Sequence, residues 1–335
     1  MAILVTGGAG YIGSHTAVKL LQSGSDVVVL DNLSNSKVEV LSRIQLITNK
    51  SVKFVFGDVS DAECLKNIFN KFEIESVFHF AGLKSVEESI VNPKLYFENN
   101  VHGSEVLLNE MSYADTKTIV FSSSATVYGQ PVFLPYTEKH ALSPINPYGK
   151  SKLLVEEMLE KFSKNDSSWN IAILRYFNPV GAHSSGLIGE NPVGVPKNLM
   201  PFLCQAALGL HPNVSIFGHD YDSPDGTAIR DYIHVEDLAE GHLAALNYVN
   251  KVGGLSTFNL GTGNGTSVLE LIKVFEDVCG KKLALEFKDR REGDLPSYWA
   301  DVTLANQVLN WSAKLNIHEM CTDAWNWQKM QANQY

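Results

Sequence analysis

The sequence predicts an α/β fold in which a doubly wound parallel sheet is joined by a second, smaller and loop-rich α/β region. Short runs of continuously apolar residues alternate with segments of helical periodicity through the first half of the 335-residue chain. The first run leads directly into a glycine-rich turn, and the second ends in a carboxylate. Strands that are covered by helices on both faces of a parallel sheet are apolar throughout, which is the pattern of these runs.

The first strand and its turn have the pattern of a dinucleotide-binding unit. Ala2–Val5 is the apolar run, and Thr6–Gly13 follows with the spacing GxxGxxG before a helical segment that reaches Leu21. Glycines such as Gly7 and Gly10 let backbone amides approach a pyrophosphate, which the N-terminus of a helix also attracts. A strand–turn–helix unit also needs glycines for steric reasons, so this motif alone does not decide the function.

The second strand favours NAD as the dinucleotide of a Rossmann-type sheet. Asp26–Leu30 is followed by Asp31, whose carboxylate can accept hydrogen bonds from an adenosine ribose diol. The same carboxylate would repel the 2′-phosphate of NADP, and no arginine follows it directly. The alternative is that Asp31 only forms a turn with Asn32.

Three further apolar runs extend the predicted sheet: Val52–Phe56, Ser76–Phe80 and Ile119–Phe121. A capping box, Ser60-x-x-Glu63, predicts the start of the helix after the first of these strands. Ligands of doubly wound sheets bind beyond the carboxyl ends of the strands. The polar residues at those ends are therefore expected along one edge: Asp31, Asp58, Lys84 and Ser124.

Tyr148 and Lys152 are spaced to act together at the start of the next helix, which is expected from Lys150 to Lys164. Residues four apart lie on one face of a helix, about 5–6 Å apart at Cβ. An ammonium beside a phenol favours the phenolate, and roughly 4 kcal/mol at about 4 Å corresponds to about three pKa units. The pair therefore has the properties of an acid–base group that works near neutral pH.

The spacing alone is not specific, because Tyr113 and Lys117 repeat it where a helix is ending. Ser124, at the end of a strand, supplies the third polar group that would support Tyr148. Its hydroxyl can hydrogen-bond a substrate hydroxyl and position it, although a serine run can also simply form a turn. The convergence of Ser124 with the cofactor edge favours Tyr148 over Tyr113.

Composition and charge exclude several classes of protein. A net charge of −10 and a pI near 5.5 argue against nucleic acid as the main partner. Cys64, Cys204, Cys279 and Cys321 are isolated and lack metal-type spacing, so we expect no metal and a reduced, cytoplasmic compartment. The N-terminal apolar run is too short for a signal peptide, and no stretch approaches the roughly 20 apolar residues of a membrane span.

Four longer motifs complete a resemblance to a known family: Phe121–Gly129, Arg175–Ala182, Arg230–Val235 and Arg290–Pro296. With the glycine turn and the tyrosine–lysine pair, they resemble the extended short-chain dehydrogenase/reductase family, and within it the enzymes that epimerise UDP-sugars. The resemblance extends from Ile3 to about Trp327, which is nearly the whole chain.

The resemblance implies a reversible epimerisation at C4 of UDP-glucose and UDP-galactose, through a 4-keto intermediate and with tightly bound NAD. It implies that Tyr148 exchanges a proton with the sugar 4-hydroxyl and that Ser124 hydrogen-bonds O4. Lys152 would hold the nicotinamide ribose and lower the pKa of Tyr148. Arg230 and Arg291 could neutralise the diphosphate of UDP, which must stay fixed while the ketose turns. Without the resemblance, a surface ion pair is the simpler role for each arginine.

The resemblance also assigns the lining of both sites. The cofactor site would comprise Gly7, Gly10, Tyr11, Ile12, Asp31, Asn32, Asp58, Val59, Phe80, Lys84, Asn99, Ser124, Tyr148, Lys152 and Phe177. The substrate site would comprise Asn178, Asn198, Leu199, Phe217, Arg230, Tyr232, Arg291, Asp294 and Tyr298.

The two expected domains are interleaved in sequence. Thr257–Leu260 could return to the main sheet, and Val268–Val278 has helical periodicity. We expect an NAD-binding domain of residues 1–178 plus about 234–260, and a UDP-sugar-binding domain of residues 179–233 and 261–335. The resemblance implies a homodimer. From the residues alone, a mixed stripe on the long helix could equally pack within the subunit: Leu153, Leu154, Glu157, Met158 and Lys161.

Three other functions fit these residues less well. The 4,6-dehydratases of the family place an acidic pair where this chain has Ala125 and Thr126, which disfavours dehydration. A 4-ketoreductase that releases NADPH is disfavoured by Asp31. A catalytically inactive NAD-sensing protein is disfavoured because both Tyr148 and Lys152 are present.

Sugar specificity is expected to depend on Tyr298. In the family, a bulky tyrosine at this position accompanies rejection of N-acetylated sugars, so we expect a preference for UDP-glucose and UDP-galactose. The alternative is a UDP-N-acetylglucosamine 4-epimerase or an enzyme of dual specificity. Without the resemblance, Tyr298 could equally be ordinary core packing.

Overall fold

The structure, a computed structural model, describes residues 1–291 and 293–332. Glu292 of the Arg290–Pro296 motif lies outside this description. So do residues 333–335, which the expected substrate domain included.

Strands and helices alternate through the first half of the chain, as the sequence predicts. The strands are β1 (Ala2–Thr6), β2 (Asp26–Asp31), β3 (Lys53–Phe56), β4 (Ile74–His79), β5 (Thr118–Ser124) and β6 (Asn170–Tyr176). The helices are α1 (Tyr11–Gln22), α2 (Glu39–Thr48), α3 (Ala62–Lys71), α4 (Val86–Val91), α5 (Pro93–Tyr96), α6 (Gly103–Tyr113) and α7 (Pro147–Asn165). A π-helical segment, Phe97–His102, lies between α5 and α6, and a short 3-10 turn, Ala125–Val127, follows β5.

The second half combines short strands with longer helices. Its strands are β7 (Asn178–Val180), β8 (Val214–Phe217), β9 (Ile229–Arg230), β10 (Tyr232–His234), β11 (Gly254–Leu260), β12 (Thr266–Ser267), β13 (Leu285–Lys288) and β14 (Ser297–Tyr298). Its helices are α8 (Leu199–Ala207), α9 (Val235–Val252), α10 (Val268–Cys279), α11 (Thr303–Leu309) and α12 (Ile317–Ala332).

Seven strands form one parallel sheet in the order β11-β6-β5-β4-β1-β2-β3. The predicted doubly wound fold is confirmed, and β11 returns to the sheet beside β6. Strand β1 lies between β2 and β4, so β2 and β3 extend the sheet on one side of β1, and β4, β5, β6 and β11 extend it on the other. A crevice for ligands opens at the carboxyl ends of the strands at such a point.

Two apolar clusters cover the two faces of the sheet. One packs strand residues such as Val5 and Val29 against α1 and α9, for example Leu20 and Leu238. The other packs the opposite strand residues against α3, α6 and α7, where Leu159 is fully buried. These clusters explain why the strand sequences are continuously apolar.

The smaller region has its own core. A third cluster joins α8, α10 and α12 to β8 and β10. Strand β13 pairs with β8, while β14 and β12 flank β9, and β10 pairs with β7. This arrangement places Tyr298 of β14 opposite Arg230 of β9, its register partner.

Two local predictions differ from the structure. The predicted capping box at Ser60 is wrong, because Asp61 is the N-cap of α3 and accepts from the backbone amides of Glu63 and Cys64 at 3.0 and 3.1 Å. Ser60 instead donates to Asp58 at 2.7 Å. The long helix also begins earlier than expected, at Pro147, since proline suits the first helical position.

Among the described residues, no helix is both long enough and apolar enough to span a membrane.

Candidate active site

The glycine turn between β1 and α1 is built for close backbone approach. Gly7 has φ +68°, and a Cβ atom there would lie 2.7 Å from the backbone nitrogen of Ala81. A Cβ atom on Gly13 would lie 2.3 Å from the carbonyl oxygen of Gly7. Gly10 is the N-cap of α1 and offers no side chain to its amides. The amides at the start of α1 therefore have the geometry of an anion site.

Asp31 is buried directly beside this turn. Its carboxylate accepts hydrogen bonds from the backbone amides of Ala9 and Leu33, at 3.0 and 2.8 Å. Asn32 and Asp58, both assigned to the cofactor site from the sequence, are also joined, because the Asn32 amide donates to Asp58 at 2.7 Å. Since hydrogen bonds from Ser60 and Asn32 stabilise its charged form, the pKa of Asp58 is lowered, although burial opposes that shift.

Ser124, Tyr148 and Lys152 meet at the carboxyl end of β5. The Asn146 side chain caps α7 by accepting from the Gly149 amide at 2.8 Å, which fixes the start of the helix beside Tyr148. The Lys152 ammonium is buried and donates to the Ser122 carbonyl at 2.8 Å. Tyr113, by contrast, is 82% exposed at the end of α6. The two tyrosine–lysine pairs share one spacing but differ in burial: Tyr148 and Lys152 lie inside the site, and Tyr113 lies on the surface.

The electrostatics of the pair differ from the sequence-based expectation. Burial raises the pKa of Tyr148 to about 12, partly opposed by a hydrogen bond with Ser124. Burial lowers the pKa of Lys152 to about 8, and the negative charge of Glu156 opposes that shift. The predicted lowering of the Tyr148 pKa by Lys152 is therefore absent in this structure, because desolvation dominates and the ammonium is directed to Ser122.

A buried ion pair lies behind the catalytic side chains, and the sequence analysis did not find it. Glu156 is one further turn along α7, and its carboxylate accepts from Ser123 at 2.5 Å and from Arg175 at 2.6 and 3.1 Å. Arg175 also donates to the Tyr128 hydroxyl at 3.1 Å. The i, i+4, i+8 spacing of Tyr148, Lys152 and Glu156 was the available signal.

The predicted substrate arginines are joined by one carboxylate. Arg291 donates to Asp294 at 2.9 Å, while a nitrogen of Arg230 lies 3.9 Å from the other oxygen of Asp294. The Arg230 guanidinium stacks 4.6 Å from the Tyr298 ring, and that of Arg291 stacks 4.7 Å from Phe217. Five residues predicted for the substrate side therefore form one cluster, although they come from three strands and a loop.

Asn178 and Tyr232 lie beside each other in the paired strands β7 and β10. The side-chain oxygen of Asn178 is buried and has no hydrogen-bond partner within the protein. Burial raises the pKa of Tyr232 above its ordinary value. An unpartnered buried amide oxygen is a candidate acceptor for a ligand.

Several predicted cofactor residues pack mainly by apolar contact. Phe177 is buried against Tyr298 with 6.1 Å between ring centroids, and Phe80 lies 4.9 Å from the His242 ring. Ile12 and Val59 belong to the two clusters that cover the sheet. These four side chains contribute apolar surface, and no polar groups, to the predicted cofactor site.

Asn99 is half-buried in the π-helical segment, but its neighbour Asn100 makes the contacts that organise this edge. Asn100 accepts from the Leu83 amide at 2.7 Å and donates to the Ser151 hydroxyl at 3.1 Å. The sequence analysis missed Asn100. The paired asparagines at 99 and 100 were a signal for a polar position, but not for which of the two is buried.

The segment from β7 to α8 contains Asn198 and Leu199, and Tyr11 and Lys84 contact it from the cofactor side. The Tyr11 hydroxyl donates to the Gly181 carbonyl at 2.7 Å, and the Lys84 ammonium lies 5.9 Å from the Tyr11 ring. Asn198 precedes α8, of which Leu199 is the first residue.

Comparison with known proteins agrees with this site. A family model described as GDP-mannose 4,6 dehydratase matches residues 4–324. The UDP-glucose 4-epimerase of Bacillus subtilis is 52% identical over 335 residues, which cover 100% of this chain and 99% of that protein. The UDP-glucose 4-epimerase of Yersinia enterocolitica is 53% identical over 336 residues, with the same coverage.

A crystal structure of UDP-glucose 4-epimerase from Bifidobacterium longum in complex with NAD+ and UDP is similar over 100% of both chains. Its TM-score is 0.97 at 47% sequence identity. The chain therefore belongs to the extended short-chain dehydrogenase/reductase family, in the group of the UDP-glucose 4-epimerases.

Proposed function

We propose that this protein catalyses the reversible epimerisation of UDP-glucose and UDP-galactose at C4, through a 4-keto intermediate and with tightly bound NAD. The observation that carries the proposal is the meeting of Ser124, Tyr148 and Lys152 at the sheet edge that also holds the glycine turn and Asp31. The activity named for the relatives, and the NAD+ and UDP bound to the B. longum enzyme, support the same reaction.

The glycine turn and β2 fit the proposed cofactor. The turn has no room for side chains at Gly7 and Gly13, so the amides of α1 can approach a pyrophosphate. The carboxylate of Asp31, held by two backbone amides, would accept from the adenosine ribose. When bound, NAD would supply a reversible hydride acceptor for C4 and the positive charge of its oxidised nicotinamide ring.

Tyr148 would move the proton at O4 of the sugar. With a pKa of about 12, its phenol stays protonated at neutral pH unless positive charge enters the site and favours the phenolate. Ser124 would hold O4 by a hydrogen bond, and the buried Lys152 would keep its ammonium fixed through Ser122. This division of roles lets one tyrosine act as base in one direction and as acid in the other.

Arg230, Arg291 and Asn178 would hold the UDP part of the substrate. The two guanidiniums are charged and lie in one cluster around Asp294, where they can pair with a diphosphate. The buried, unpartnered oxygen of Asn178 offers an acceptor on the same side. A fixed nucleotide leaves the 4-ketose free to turn near Tyr298.

Dehydration is disfavoured, although the matching family model is described by a dehydratase. Ala125 lies in an apolar cluster with Phe177, and the Thr126 hydroxyl donates to Ser124 at 3.0 Å. Neither residue has a carboxylate, and a 4,6-elimination needs acid–base groups beside the serine.

We further propose the division into an NAD-binding domain of residues 1–178 plus about 234–260 and a UDP-sugar-binding domain formed by the rest. The return of β11 to the main sheet and the separate core around α8, α10 and α12 support it. A cytoplasmic location is supported by the four free cysteines.

A homodimer is proposed as the assembly, with α7 at the contact. Support is partial, because Leu153 and Met158 of the expected stripe pack against clusters within the subunit, whereas Glu157 is exposed. Light scattering should give twice the chain mass of 36.9 kDa. A mass equal to one chain at micromolar concentration would rule the dimer out.

Incubation of the purified holoenzyme with UDP-galactose, followed by assay for UDP-glucose, tests the proposed reaction. Tyr148→Phe should lower turnover by about 10²- to 10⁴-fold, because it removes the proton-transfer group. The matched control is Tyr113→Phe, which alters the exposed copy of the motif and should leave turnover unchanged. Folded, NAD-loaded protein that forms no UDP-glucose would refute the proposal.

A further inference from the structure

Glu190 joins two residues that belong to opposite sides of the proposed site. One oxygen of its carboxylate accepts from the Lys84 ammonium at 2.6 Å and from the Asn198 side-chain amide at 2.6 Å. The Glu190 side chain is only 9% exposed, whereas that of Lys84 is 48% exposed. Two short hydrogen bonds to a largely buried carboxylate constrain the more exposed lysine and the asparagine together.

The backbone at Glu190 is held from the other direction by α12. The indole of Trp327 donates to the Glu190 carbonyl at 3.2 Å. A Cβ atom on Gly189 would lie 2.5 Å from the Trp327 ring, so the loop packs directly on the indole. These contacts fix the backbone at Glu190, whereas the carboxylate itself is held by Lys84 and Asn198.

Lys84 and Asn198 arrive at Glu190 from different parts of the fold. Lys84 follows β4 and lies near the Tyr11 ring, at the start of the helix that follows the glycine turn. Asn198 is the N-cap of α8, yet its side chain makes no capping bond and is directed to Glu190 instead. The carboxylate thus spans from the cofactor edge to the substrate region.

We propose that Glu190 is a positioning residue that couples retention of NAD to binding of the UDP part of the substrate. The inference rests on the proposed function for the assignment of Lys84 to the cofactor and Asn198 to the nucleotide sugar. Both donors share one carboxylate oxygen, so ordering one of them orders the acceptor of the other. Binding on either side then favours binding on the other, since coupling between sites is reciprocal.

The pairing with Glu190 leaves each donor able to bind a ligand. An ammonium has three N–H donors, and the Asn198 amide keeps its oxygen as an acceptor when its nitrogen donates. Glu190 therefore orients both side chains without using up their capacity. It also offsets the charge of Lys84, which would otherwise be free to pair elsewhere.

Glu190→Gln in the holoenzyme tests the coupling, because it removes the charge and keeps the shape. Two quantities are measured: the dissociation constant of UDP by calorimetry, and the rate of NAD loss with and without saturating UDP. We expect UDP to bind about fivefold or more weakly and to lose most of its ability to slow NAD release. The control is Glu160→Gln, an exposed partner of Lys164, which should leave both quantities within about twofold of the parent.

Two backgrounds distinguish positioning from a general loosening of the loop. In Lys84→Met, the Glu190→Gln change should still weaken UDP binding but should no longer affect NAD loss. In Asn198→Ala, it should still accelerate NAD loss but should no longer affect UDP binding. Effects of equal size in all three backgrounds would overturn the proposal. So would a Glu190→Gln change in the parent background that alters only UDP binding, only NAD loss, or neither. If Glu190→Gln does not fold, Glu190→Asp, which withdraws the carboxylate by one methylene, is judged by the same criteria.

These measurements do not depend on turnover. A protein that lacks epimerase activity but shows the coupled changes would refute only the proposed reaction. A protein that converts UDP-galactose but binds UDP and NAD unchanged in Glu190→Gln would refute only the coupling.

Discussion

Tyr148 and Lys152 illustrate how burial acts on two groups of opposite charge type. The same desolvation raises the pKa of the phenol to about 12 and lowers that of the ammonium to about 8, because in each case it penalises the charged form. At neutral pH the pair therefore rests as a phenol and an ammonium. The spacing of the two residues could be seen in the sequence, but the direction of the Tyr148 shift could not.

Lys152→Met should stabilise the fold at pH 7 while it abolishes the activity. Lysine has a pKa of about 10.5 in the unfolded chain and about 8 here, so below pH 8 the folded state bears the penalty of a buried charge. After loss of the hydrogen bond to Ser122, the net gain should be about 2 kcal/mol.

This penalty disappears as the pH rises through 8 towards 10.5, so the advantage of Lys152→Met should shrink over that range. Urea unfolding of both proteins at pH 7 and pH 10 measures it. A variant that is less stable at pH 7, or a difference that does not change with pH, would contradict the assignment.

Tyr298→Cys should allow turnover of UDP-N-acetylglucosamine. The Tyr298 ring lies 6.1 Å from Phe177 and 4.6 Å from the Arg230 guanidinium, between the cofactor side and the nucleotide side of the site. Removing the ring makes room for an N-acetyl group. Kinetics on UDP-hexoses and UDP-N-acetylhexosamines provide the measurement, and Tyr298→Phe, which keeps the bulk, should retain the specificity of the parent. Unchanged kinetics of Tyr298→Cys on the N-acetyl sugars would defeat the assignment.

At the scale of elements, the catalytic side chains depend on how α7 is fixed to the sheet. The Asn146 cap sets where the helix starts, and Glu156 ties its third turn to β5 through Ser123 and to β6 through Arg175. The sequence predicted the helix but not the ion pair. In the sequence, Glu156 resembles the other charged residues of the helix surface. Its partner, Arg175, lies 19 residues later in β6.

Glu156→Ala should destabilise the protein by about 3–5 kcal/mol, because it leaves the buried Arg175 unpaired. Replacing both residues, as in Glu156→Leu with Arg175→Met, should recover most of the loss, since no buried charge then remains. Urea unfolding measures both changes, with the surface variant Glu160→Gln as the control. A loss below about 1 kcal/mol for Glu156→Ala would show that the pair does not anchor α7.

The sequence predicts the helices more accurately than it predicts the residues that cap them. Ser60 and Asp61 are adjacent and both suit an N-cap, and Asp58 attracts the Ser60 hydroxyl away from the helix. The choice between neighbouring caps is decided by contacts with residues outside the motif.

At the scale of the whole molecule, the site for UDP is assembled from segments far apart in sequence. Arg230 and Arg291 are brought to one carboxylate, and strand β14 lies beside β9 to hold them there. Arg290, next to Arg291 in sequence, pairs instead with Asp220 at 2.7 Å and stacks 4.2 Å from Tyr221. The chain thus offers two adjacent arginines with different surroundings.

Saturating UDP should raise the thermal stability of the holoenzyme, because a ligand that binds only the folded state stabilises it by about 2.7 kcal/mol at 100 times its Kd. Arg291→Gln should reduce this gain and weaken UDP binding at least about tenfold, since it removes a charged partner of the diphosphate. Arg290→Gln should change neither. Differential scanning fluorimetry over a range of UDP concentrations tests both variants, and equal losses in the two would disprove the assignment of Arg291.

The sequence by itself determined the alternation of strands and helices, the NAD-type glycine turn with Asp31, and the positions of Ser124, Tyr148 and Lys152. These features are visible because they rest on short-range periodicity and spacing, which the backbone converts directly into faces, turns and strand ends. Only the tertiary structure decided that Asp294 joins the two arginines, that Glu190 holds Lys84 and Asn198, and that burial raises the pKa of Tyr148. Long polar side chains pair with residues that lie tens to hundreds of positions away in the sequence. The desolvation of a group depends on all the residues packed around it. Neither the pairing nor the desolvation can therefore be predicted from local sequence.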